Sequence, residues 1–73
     1  DGKFVFEDEP IEEIMERLSR WYDVKVFYAN ERIKKHTFTG IITRFADISD
    51  VLHLMEETAA VEFRIQGDTV TVK

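Results

Sequence analysis

With 73 residues the chain holds enough sequence for one thin core and too little for two domains. Fifteen Asp and Glu against ten Lys and Arg leave a formal charge of −5, which repels phosphate backbones and anionic lipid surfaces, so the reading assigns neither nucleic acid nor direct membrane contact as a partner. A hydrophobic content of 44% with one Pro, three Gly and no Cys excludes low-complexity disorder, a disulfide framework, a thiol nucleophile and a Cys-ligated metal.

Surface scaling for folded chains of this size gives roughly 4,700 Å² exposed against about 12,500 Å² unfolded, about 62% buried. The apolar runs are only a few residues long, far short of the roughly 20 that span a bilayer. The chain opens on Asp1 and carries no basic-then-apolar leader, which suggests a domain excised from a larger protein.

Lys3 to Glu7 alternates around Phe4 and Phe6, the period of a half-buried first strand. Asp8 as cap, Glu9 and Pro10 then predict a helix start near Glu9. Ile11, Ile14, Met15, Leu18 and Trp21 share one helical stripe, with Glu12, Glu13, Glu16, Arg17 and Arg20 on the wet side. Trp21 and Tyr22 read as core. Val24 to Ala29 is beta-branched and aromatic and predicts a second strand, with Val24, Val26 and Tyr28 on one face.

Asn30 to His36 is polar and basic around a lone Ile33, as expected of a surface connection. Thr37 to Thr43 predicts a third strand in which Gly40 marks a close approach or a bulge. Asp47 and Asp50 resemble a capping pair ahead of Ile48, Val51, Leu52 and Met55, so a second helix is expected to about Thr58. Val61, Phe63 and Ile65, a Gly67–Asp68 turn, then Val70 and Val72 predict a closing hairpin.

One offset of 37 residues superimposes the halves without a gap, setting Ile11 on Ile48, Ile14 on Val51, Met15 on Leu52, Leu18 on Met55 and Val24 on Val61. The expectation is an α+β domain of two strand-helix-strand repeats, the second extended by one strand.

Chemistry has few residues to work with. His36 and His53 lack partners at metal-ligand spacing and read as surface residues. The acids from Glu7 to Glu16 lack the Gly-mediated turn of a calcium loop and read as a helix amino end matched to its dipole. Arg32, Lys34 and Lys35 read as a solvated basic loop. No Gly-rich phosphate loop, nucleophile elbow or dinucleotide fingerprint is present, so no cofactor, metal or catalytic residue is assigned and an enzyme is not expected. Val5, Phe27, Ile41 and Phe45 fall off the phase of the core pattern, and either a second layer covers them or they form a docking face.

The strand Phe4 to Glu7 leading into Glu9-Pro10-Ile11, Leu18 to Asp23 with Trp21-Tyr22-Asp23, Phe38-Thr39-Gly40, the Ile48 to Met55 helix and the Val70-Thr71-Val72 ending together resemble the C-terminal periplasmic domain of FecR-type anti-sigma regulators of the Bacteroidetes kind, over nearly the whole chain. That family looks like a relative of the short N-terminal signalling domain of secretins and TonB-dependent receptors, whose two strand-helix-strand units sandwich their helices between two small sheets, an arrangement expected to cover Val5 and Phe27. The resemblance implies a regulator anchored in the inner membrane. Its cytoplasmic part would control an extracytoplasmic-function sigma factor, and its periplasmic end would sense an outer-membrane TonB-dependent receptor. It implies no catalytic residues.

The reading is therefore a single domain over residues 1–73 that acts by binding another protein. The partner is expected either as an added strand on an unpaired edge offered by Thr69 to Lys73 or Thr37 to Thr43, or on apolar positions near Phe45. The contact residues named on that basis are Phe45, Thr39, Ile41, Val70 and Val72. Alternatives are the signalling domain of a transporter or secretin, and a ferredoxin-like regulatory domain that binds a small molecule.

Overall fold

Strand periodicity and two amphipathic helices lay out the domain, which the computed structural model describes over residues 2–73. In chain order the elements are β1 (Lys3–Pro10), α1 (Ile11–Tyr22), β2 (Lys25–Tyr28), a 3-10 turn (Glu31–Lys35), β3 (Thr37–Thr43), α2 (Ile48–Thr58), β4 (Phe63–Gln66) and β5 (Thr69–Val72). The two helices begin at Ile11 and Ile48, the positions that the 37-residue offset equates.

The strands form two small sheets, β1–β3 antiparallel and β2–β5–β4 mixed, with β5 parallel to β2 and antiparallel to β4. Each helix thus leaves a strand of the first sheet and delivers the chain to the second. The apolar stripes of both helices lie between the sheets: Ile11, Ile14, Met15 and Leu18 of α1 meet Val51, Leu52 and Met55 of α2, Phe4, Phe6, Phe38 and Ile42 of the first sheet, and Val70 and Val72 of the second. Each such side chain contributes on the order of 1.5–3 kcal/mol by leaving water. The accessible surface of 4855 Å² matches the expectation for a single core.

Several expectations need correction. α1 starts at Ile11, with Pro10 in the N-cap position, because β1 continues past Glu7. Asp8 is not a cap. The register shifts between Phe6 and Glu9, which inserts one extra residue opposite β3, and Asp8 sits there at φ 52 with its N–H donating to Thr39 Oγ1 at 2.9 Å. Asp tolerates this left-handed conformation better than most side chains. The ladder beyond the bulge carries Ile11 N–H to His36 O at 2.7 Å and fixes where the helix can begin.

At the other end of α1, Asp23 adopts φ 57, ψ 51, and the N–H groups of both Asp23 and Val24 go to Ser19 O, a left-handed helix stop. α2 does begin after Asp47, yet the Asp47 side chain makes no capping bond; its carbonyl accepts from Asp50 and Val51 instead.

Ile33, expected on the surface, is buried, because the 3-10 turn folds its one apolar side chain under α1 while Arg32 and Lys35 stay exposed. Lys34 is not a free loop cation either: its Nζ lies 2.9 Å from Glu31 and 3.7 Å from Glu12 of α1, and 5.1 Å from the Tyr28 ring centroid. The hydrogen bond to Glu31 raises its pKa, an effect that solvent screens at this surface. β4 starts at Phe63 and not Val61, although Glu62 and Lys73 still exchange backbone bonds and Val61 reaches the core. Gly67 supplies the positive φ, 58°, that the two-residue hairpin needs.

No helix among the described residues is long and apolar enough to cross a membrane.

Candidate interaction surface

Among the described residues the first sheet has only two strands, so one side of β3 carries backbone groups that no other strand pairs. Alternation along β1 and β3 sends Phe4, Phe6, Phe38 and Ile42 inward and leaves Lys3, Val5, Glu7, Thr39, Ile41 and Thr43 outward. The register sets Val5 directly opposite Ile41, at 62% and 61% exposure. Phe45, just beyond β3, is 83% exposed. A shallow groove of about 490 Å³ runs over this face between Val5, Glu7, Thr39 and Ile41. A second, of about 210 Å³, separates β3 from α2 between Ile41, Thr43, Asp50 and Leu54.

Among the described residues the expected cover over Val5 and Phe27 is absent, and Ile41 and Phe45 are exposed as well. The helices lie on the inner faces of both sheets, and nothing among the described residues is layered on the outer faces, where Phe27 is 57% exposed. Of the five expected contact residues, Thr39 and Ile41 lie on the outer face of the first sheet, and Phe45 is exposed in the turn just beyond β3. Val70 and Val72 are misplaced by that expectation. β5 is the central strand of its sheet, bonded on both sides, and both valines are fully buried. The Thr69 to Lys73 segment offers no edge.

A second cluster lies around the carboxyl end of α1 and was invisible in the sequence. Trp21, expected in the core, is 46% exposed, with Nε1 donating to Arg44 O at 2.7 Å. The Arg44 guanidinium carbon is 5.0 Å from the Phe4 ring centroid and 5.5 Å from that of Trp21. Arg17 lies 5.5 Å and 5.1 Å from Phe4 and Phe6. With Arg20 these groups line a pocket of about 280 Å³. Helical spacing alone places Arg17, Arg20 and Trp21 close together, but Arg44 comes from a loop 23 residues beyond Trp21, and no local pattern announces it.

Tyr22 donates its hydroxyl to Ala46 O at 2.6 Å, tying the end of α1 to the loop ahead of α2. Burial, and then the Asp47 charge, raise its pKa. Burial does the same to Tyr28, with the Glu12 charge adding to it and Lys34 opposing.

His36 and His53 are exposed, as expected. His53 lines a cavity of about 220 Å³ between α2 and β4 with Ser49, Leu52, Glu56, Phe63 and Ile65. The Glu56 carboxylate there already accepts the Phe63 N–H at 2.8 Å, which fastens β4 to α2.

Two crystal structures, each of a Parabacteroides distasonis protein proposed to be an anti-sigma factor, at 1.65 Å and 2.50 Å resolution, share the fold, with TM-scores of 0.84 and 0.83 and 15% sequence identity to each. They are matched over 99% and 97% of this chain, which spans about a third of each of theirs, 34% and 33%. No curated protein sequence matches significantly. The family model for the C-terminal region of FecR matches residues 3–72, and on that match over nearly its whole length the chain belongs to the FecR C-terminal family.

Proposed function

We propose that the domain is the non-catalytic, periplasmic sensing end of a FecR-type anti-sigma regulator. The full-length protein is anchored in the inner membrane, and its cytoplasmic part binds an extracytoplasmic-function sigma factor. This domain relays the state of an outer-membrane TonB-dependent receptor by docking the receptor's signalling domain. Family membership favours the regulator over a receptor's own signalling domain.

The observation that carries the docking reading is the exposure of Val5 and Ile41, paired across β1 and β3, and of Phe45 just beyond β3, on a sheet whose β3 has an unpaired edge. Exposed apolar side chains flanking free strand backbone suit strand addition, in which main-chain bonds supply affinity and alternate side chains supply selectivity.

The test is titration of the isotopically labelled domain with the signalling domain of the receptor encoded alongside it, read by amide chemical shifts. Shifts concentrated on Val5 and on residues 37–45, and removed by Ile41→Asp with the rest of the spectrum preserved, are expected. Absence of shifts, or shifts confined to the β2–β5–β4 sheet, would refute this docking face.

A further inference from the structure

The geometry points to a carboxylate-binding pocket formed by Arg17, Arg20, Arg44 and Trp21, which receives an Asp or Glu side chain of a protein partner. It adjoins the proposed β3 docking face, Arg44 being the residue before Phe45, but does not depend on it.

Three arginines converge on this pocket in a chain with an excess of acids, and no carboxylate among the described residues lines it. Among the described residues neither Arg17 nor Arg44 makes an ion pair. Arg20 makes only one, 3.4 Å to Glu16, with both side chains strongly exposed. Such a pair is weak and exchanges readily for a better partner.

The aromatic rings hold two of the guanidinium groups in place. Arg44 lies near the rings of both Phe4 and Trp21, its backbone pinned by the Trp21 indole, and Arg17 lies near the rings of Phe4 and Phe6. A guanidinium fixed on an aromatic keeps its planar fork of N–H donors free for an oxyanion and loses little side-chain entropy on binding one. Arg44 Nε is buried and finds no hydrogen-bond partner among the described residues.

The occupant follows from charge and shape. Planar forks match a carboxylate two bonds at a time. The pocket is shallow and open at about 280 Å³, so a small free anion gains few contacts, whereas a side chain projecting from a docked protein draws the rest of its affinity elsewhere.

Trp21 is the only tryptophan and reports on the site directly. The domain is titrated with a blocked tetraglutamate peptide, sodium phosphate and sodium chloride at matched ionic strength. Trp21 emission and its indole N–H resonance are followed. The peptide is expected to give a saturable change in the millimolar range, weakened at least tenfold in Arg17→Gln and in Arg44→Lys, which keeps the charge and loses the fork. Arg64→Gln, on the other sheet, is expected to bind as the parent does.

Equal responses to chloride would reduce the effect to screening and overturn the proposal. Tighter binding of phosphate would reassign the pocket to free oxyanions and overturn it equally. An Asp1→Asn variant that binds the peptide at least tenfold more tightly than the parent would place a competing carboxylate within the chain, with the same consequence. Because the unsubstituted domain decides between the salts and the peptide, the proposal stays falsifiable even if an arginine variant fails to fold.

Discussion

Replacing Gly40 by Ala tests the packing of the first sheet at one atom. The backbone at Gly40 is not in the positive-φ region, so its conformation alone does not demand glycine. What demands it is the Phe38 ring, which lies over Gly40 so that an added Cβ would sit 2.6 Å from Cζ and 2.9 Å from Cε2. The ring has little room to retreat, being buried with its centroid 6.2 Å from that of Phe6, the residue opposite Gly40 in the register. Overpacking of a filled core costs about 1–3 kcal/mol. Stiffening the unfolded chain by Gly→Ala returns about 0.4–1 kcal/mol. The net is a destabilisation of about 1–2 kcal/mol, or a fall in Tm of roughly 5–15 °C in a domain of this size. Thermal unfolding followed by far-ultraviolet circular dichroism reads it. In a Phe38→Leu background, where the far ring atoms are gone, the same substitution is expected to cost less than about 0.5 kcal/mol, so the double-mutant cycle shows coupling near 1 kcal/mol. A Gly40→Ala protein as stable as the parent, with Phe38 present, would refute the steric account.

Asp23→Gly is expected to stabilise the domain by about 0.5–1 kcal/mol in urea titration, because the left-handed residue that stops α1 costs a side chain more than it costs glycine; Asp23→Val should destabilise it. Ile33→Ala should lose about 2 kcal/mol by the same measurement, despite lying in a segment of otherwise polar residues, since its side chain is buried. Tyr22→Phe should lose about 1 kcal/mol at neutral pH for the missing bond to Ala46 O. Tyr22 and Tyr28 have folded-state pKa values raised above the ordinary 10.0, so their contribution is complete below the unfolded value and declines as pH rises through the folded one. The parent should therefore lose stability on going from about pH 9 to about pH 11, and a Tyr22→Phe/Tyr28→Phe double variant should lose less.

Local order was readable because it is written in local periods. Phe4 and Phe6, the stripe from Ile11 to Leu18 and its counterpart from Ile48 to Met55 each need one side dry, and a period of two or of 3.6 says which residues those are. β3 and the end of α2 fall where composition places them, and Gly40 does mark a close approach. Thr39, Ile41 and Phe45, three of the expected contact residues, are each exposed.

Pairing between distant segments was not readable. Val70 and Val72 alternate just as an edge strand would, and only the insertion of β5 between β2 and β4 makes them central and buried. Asp8 has the residue type and position of a helix cap, yet a ladder running on to His36 turns it into the bulge that faces Thr39. Val5 and Ile41 are apolar enough to be core, and their exposure follows from which face of a two-stranded sheet the helices occupy. Arg44 meets Trp21 and Phe4 only when a loop closes against the end of α1. Periodicity tells each segment which of its own sides avoids water, whereas neighbours across a sheet or a loop are chosen by the total free energy of the assembled core, a quantity no short window of sequence contains.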